Sequence, residues 1–115
     1  MGVNAVAAHF EGKAPIVRDI YDRLLETAAR FGPVREDPKK TSIHLTRRTA
    51  FAGVATQRKA IILTLKSPAD VPSDRIMRRE QASAKRWYLY LKLTDPKQID
   101  RQVSGWIKRS MDLCD

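Results

Sequence analysis

Cysteine occurs once, at Cys114, so no disulfide can close within the chain and cysteine alone cannot build a thiolate metal site. Histidine is nearly as scarce. His9 and His44 fall in different predicted elements, which leaves neither a general base with a neighbouring partner nor a zinc-ligand spacing. There are only five glycines, and no glycine run precedes Lys40-Thr41, the pair similar to the end of a phosphate-binding loop, so backbone amides are not presented there and nucleotide hydrolysis is excluded. No apolar run approaches the roughly 18 residues of a membrane-spanning helix. Met1 to Phe10 lacks the basic start and apolar stretch of a secretion signal, so the expectation is a cytoplasmic protein with no membrane contact.

What is present is an ordinary globular composition, 43% hydrophobic and 30% charged over 115 residues, which is one domain's worth of chain. The charge is unevenly spread. Of 22 Lys and Arg against 13 Asp and Glu, thirteen cations and only Asp70, Asp74 and Glu80 lie between Lys39 and Lys92, a local balance of +10 within a total of +9. An excess concentrated in one segment points to an anionic partner.

Residues 1–12 show no strong pattern and are expected to be loosely ordered. From Pro15 to Phe31, Ile16, Val17, Ile20, Tyr21, Leu24, Leu25, Ala28 and Phe31 recur at three- and four-residue steps, which predicts a helix ended by Gly32 and Pro33. The period then changes. Ser42 to Thr46, Ala50 to Thr56 and Ala60 to Lys66 read as short strands separated by polar hairpin-length turns, and Trp87 to Leu93 is the strongest strand signal in the chain. Between them, residues 67–85 have two prolines and little apolar periodicity, so a long basic loop is expected. Asp95, Pro96 and Gln98 form the signature of a capped helix start, with Ile99, Val103, Trp106, Ile107, Met111 and Cys114 on one side of the last helix and Gly105 as a point of close packing. The predicted fold is a two-layer α+β domain. Its N- and C-terminal helices pack on one face of a mostly antiparallel sheet of four or five strands.

A helix followed by Phe31-Gly32-Pro33-Val34, then Lys40-Thr41-Ser42-Ile43, Phe51, Arg75, Ile99-Asp100 and Trp106-Ile107 resembles the family called domain of unknown function 5655, over roughly Phe10 to Asp112. That family occurs as small bacterial proteins and as an appended module. The resemblance implies a small α+β fold, and it supplies no activity and no catalytic residues. One departure stands at Trp87-Tyr88-Leu89-Tyr90, where the family is expected to be more polar or to carry histidine.

Strand alternation directs Ile43, Leu45, Trp87, Leu89, Leu91 and Leu93 toward the helices and leaves Ser42, His44, Thr46, Tyr88, Tyr90 and Lys92 on the other face. Tyr88 and Tyr90 are therefore candidates for stacking on bases. The candidates for phosphate or other anion contacts are Lys39, Lys40, Arg47, Arg48, Arg58, Lys59, Arg75, Arg78, Arg79, Lys85 and Arg86. Arg75 has two expected roles, a clamp on an external carboxylate or phosphate and an ion pair with an acid of the last helix. Asp37-Pro38-Lys39 and Asp95-Pro96-Lys97 match the tail of a nuclease metal motif, but proline disfavours a central strand at either. No catalytic residue, metal or cofactor is expected.

The leading expectation is a non-enzymatic module that binds an anionic partner, nucleic acid above all, through residues 39–92. An acidic protein partner or a homodimer covering the tyrosine-bearing face is the second. A small-molecule or phosphate-binding pocket, or an enzyme site, around Lys40, His44 and Arg75 is the third.

Overall fold

A computed structural model describes residues 2–114. Its elements run α1 (Gly2–Ala8), α2 (Pro15–Ala29), β1 (Arg35–Pro38), β2 (Ile43–Thr46), β3 (Ala50–Thr56), β4 (Ile61–Ser67), β5 (Arg78–Ser83), β6 (Arg86–Leu93), a 3₁₀ turn (Pro96–Gln98) and α3 (Arg101–Leu113). The strands form one antiparallel sheet in the order β1-β2-β3-β4-β6-β5. This is the expected α+β architecture. No helix among the described residues is long and apolar enough to cross a membrane.

The central strands owe their place to strict alternation. β4 buries Ile61, Leu63, Leu65 and Ser67 and leaves Ile62, Thr64 and Lys66 half exposed. Cross-strand neighbours keep the same phase, so Leu63 lies between Val54 and Leu91, and Leu65 between Ala52 and Leu89. Against this apolar face α2 lays Val17, Ile20, Tyr21 and Leu24, and α3 lays Val103, Trp106, Ile107 and Met111, all in one contiguous core. Full burial of each large aliphatic side chain contributes about 1.5–3 kcal/mol.

β3 carries a bulge where α3 docks. Leu45 pairs with Ala52 and Thr46 with Ala50, so Phe51 has no counterpart in β2, and it is fully buried. On the other side of β3, where its ladder with β4 ends at Ala52↔Leu65, the Ser110 hydroxyl of α3 bridges the two strands, donating to the Phe51 carbonyl while accepting from the Lys66 backbone N–H at 2.9 Å. At the far end of α2, Gly32 has φ +151°, a conformation that L side chains avoid, and a Cβ there would also run into the Arg47 guanidinium.

Several expectations change. The sheet has six strands rather than four or five, because β1 and β5 are edge strands that bury no apolar stripe and so lack an alternating signal. β5 occupies residues 78–83 of the supposed long loop and pairs with β6 from Arg78↔Tyr90 to Ser83↔Arg86. Residues assigned no element at the N-terminus form α1, followed by backbone turns, and the chain is tied down where Thr56 donates to the His9 carbonyl at 2.7 Å. The last helix does not start at Asp95. The capping box is there, but it closes a 3₁₀ turn; the chain then bends at Ile99, which is buried, and Asp100 caps α3 with its carboxylate on the Val103 N–H at 3.2 Å. Gly105 faces solvent, and a Cβ there would meet nothing within 4 Å, so it is not a packing point.

Candidate binding surface on the helix-free sheet face

The pleat that builds the core also builds the opposite surface. On it, Asp37, His44, Gly53, Thr64, Tyr90 and Arg78 form one row across all six strands. A second row places Lys66 beside Tyr88 and Tyr88 beside Glu80, and Lys92 lies opposite Ile62. None of these residues is buried, in contrast to Ile43 and Leu45 on β2, Ile61, Leu63 and Leu65 on β4 and Leu89, Leu91 and Leu93 on β6.

The middle of this face is hollow. Gly53 lacks a side chain, Ala50 and Ala55 carry only methyl groups, and the taller His44, Thr64, Lys66 and Tyr88 stand around them, leaving a groove of about 350 Å³. Tyr90 is held on the β5 side, with the Arg78 guanidinium 5.2 Å from its ring centroid and Arg78 in turn paired with Glu80 at 2.6 Å.

The chain matches the family described as domain of unknown function (DUF5655) over residues 6–114. It belongs to that family. No curated protein and no solved structure matches it.

The DUF5655 domain distributes the expected cations less simply than the sequence implies. Consecutive hairpin tips in an antiparallel meander fall at alternate ends of the sheet. Lys39, Lys40, Arg58 and Lys59 therefore sit at one end and Arg47, Arg48, Lys85 and Arg86 at the other. Seven residues of strand separate the two ends, about 20 Å. A single convergent patch of all eleven candidates does not form.

Several are also engaged within the domain. Arg75 donates to both oxygens of Asp100 at 2.9 and 2.8 Å, to Gln102 at 3.0 Å and to the Gln98 carbonyl at 2.6 Å, so of its two expected roles it takes the ion pair with the last helix. Arg79 donates to both oxygens of Asp70 at 3.1 Å. Arg47 reaches the Phe31 carbonyl at 3.4 Å. Lys39 pairs with Asp37 at 2.9 Å and, through that hydrogen bond, holds the Asp37 carboxyl below its ordinary range. Because Arg75 lies on the helix side and His44 on the opposite face, the pocket expected around Lys40, His44 and Arg75 is not assembled.

The open face of the DUF5655 domain carries Tyr88 and Tyr90 with Arg35, Lys66, Arg78, Arg86 and Lys92, five cations against Asp37 and Glu80, with Arg78 itself paired to Glu80. Lys66 and Gly53 carry no motif. Their importance comes from registry, since only the pairing of β4 with β6 sets Lys66 opposite Tyr88. Among the described residues no group of three or more His, Cys, Asp or Glu could hold a metal ion, and Asp37 lies in an edge strand that ends at Pro38.

Proposed function

We propose that the DUF5655 domain is a non-enzymatic binding module whose helix-free sheet face receives nucleic acid. The observation that supports this most is the shared register of Tyr88 and Tyr90 with Lys66, Lys92, Arg78 and Arg86 on one uncovered face. Aromatic rings stack on bases of any identity, and cations beside them neutralise the phosphates between those bases.

The reading requires affinity that collapses with salt. Fluorescence anisotropy of labelled DNA and RNA should give dissociation constants on the order of 10⁻⁴–10⁻⁶ M, with a log–log salt slope of about −0.7 to −0.9 per phosphate contacted. Exchanging Lys66 and Arg86 together for glutamate should weaken binding at least tenfold. Absence of binding to either polymer at low salt removes the proposal. The same reading puts the domain in a bacterial cytoplasm, where the buried Cys114 thiol stays reduced.

A second reading is a homodimer, favoured by β5, an edge strand exposed along its whole length with one side of its backbone unpaired. Sedimentation that returns a monomer at high concentration counts against it.

A further inference from the structure

We propose that the hollow over Gly53 seats one unpaired nucleobase, so that the domain selects single strands over duplexes. The inference rests on the nucleic-acid reading above and adds the form of the ligand.

Glycine inside a strand weakens it and commonly marks a place where something approaches the backbone closely. Gly53 is not there for conformation, because the positive-φ glycines are Gly12 and Gly32. Nor does crowding demand it. A Cβ at this position would sit 3.7 Å from the Thr64 Cβ, an ordinary contact. The fold therefore accepts a Cβ at Gly53, and what a side chain would remove is the space above it.

That space fits a base. At about 350 Å³ it lies at the small end of the roughly 300–1,000 Å³ of ligand pockets, enough for a planar ring and its edge substituents. Its rim has the chemistry a base edge needs. His44 and Thr64 are the register neighbours of Gly53 on either side, offering an imidazole and a hydroxyl. Tyr88 forms an aromatic wall, and Lys66, its cross-strand neighbour, stands where a backbone phosphate would follow. In a duplex the bases are stacked inside and only groove edges are presented, so an isolated hollow in an otherwise continuous sheet gains nothing from one.

The test compares, on the whole domain, a short single strand, the duplex of the same sequence, and a single strand of the same length with abasic sites, which keeps the phosphates and removes the bases. Wild type should bind the intact single strand at least tenfold tighter than either control. Gly53→Val, whose retained fold is checked by circular dichroism and thermal melting, should weaken single-strand binding at least threefold toward the abasic level and leave abasic binding unchanged. Tyr88→Leu provides a second route and should reduce the single-strand preference at least fivefold. A folded Gly53→Val protein that binds like wild type overturns the base pocket while the sheet-face reading stands, whereas equal affinity for all three ligands overturns the pocket and the tyrosine stacking together and leaves only phosphate contacts. Failure to bind any of the three overturns the nucleic-acid reading as well.

Discussion

Arg75 Nη1 lies 2.9 and 2.8 Å from the two carboxylate oxygens of Asp100, the residue that caps α3. One guanidinium thus joins the chain ahead of β5 to the first turn of the last helix, and its Nη2 also holds the Gln98 carbonyl of the preceding 3₁₀ turn. The Arg75 hydrogen bond, then the Val103 N–H, keep the Asp100 carboxyl below the ordinary aspartate range.

A lowered folded-state value means that this stabilisation is present above the ordinary aspartate pKa of about 3.9 and is lost as pH falls through the folded value. Arg75→Met should therefore lower the melting temperature at neutral pH and flatten the acid limb of the stability profile below about pH 4. Parallel acid limbs in wild type and variant would show that Arg75 does not set the Asp100 titration.

Ser110 is fully buried and satisfies two backbone groups where the β3–β4 ladder ends. Ser110→Ala leaves the Phe51 carbonyl and the Lys66 N–H without their partner, and each buried group so orphaned costs about 1–3 kcal/mol. Urea titration should show a loss of about 2 kcal/mol or more. A loss below about 0.5 kcal/mol would mean that the sheet closes the gap by itself.

Gly105 sits on the exposed side of α3 with open space at its Cβ position. Gly105→Ala should stabilise the domain by about 0.5–1 kcal/mol, because alanine loses less conformational freedom on entering a helix. Thermal melting checks the sign, and a lower melting point refutes the assignment of this face to solvent.

Tyr21 is buried in α2 and donates its hydroxyl to Glu36 at 2.6 Å. Burial first, and then the hydrogen bond to Glu36, raise its pKa far above the usual phenol value. For a raised group the stabilisation is complete below the unfolded value of about 10 and declines as pH rises beyond it. Tyr21→Phe should cost about 0.5–1.5 kcal/mol at pH 7 and lose less than wild type between about pH 10 and 12. Identical alkaline limbs would contradict the shift.

Helix α2 and strands β2, β3, β4 and β6 are readable in the sequence because each buries a periodic apolar stripe. β1, with Arg-Glu-Asp-Pro, and β5, with Arg-Arg-Glu-Gln-Ala-Ser, are strands only because a neighbour supplies their hydrogen bonds. The candidate surface divides in the same way. Alternation alone puts Tyr88 and Tyr90 on the face opposite Leu89 and Leu91. Which cations join them depends on chain path and register, and those take Arg75 to α3, divide the turn pairs between two ends, and bring in Lys66 and Gly53.

The Ser110 bridge has a consequence for biosynthesis. Residues near the end of α3 complete contacts that the sheet cannot make alone, and the Cys114 carbonyl accepts from the N–H groups of Arg48 and Thr49 in the β2–β3 turn. While translation is still short of these positions, or the ribosome's exit tunnel still hides them, β3 and β4 emerge with an unfilled gap between them. Until residue 114 has left the tunnel, the β3–β4 bridge of Ser110 and the Cys114 acceptor of the β2–β3 turn are both missing, so these contacts are the last of the fold to be made during synthesis.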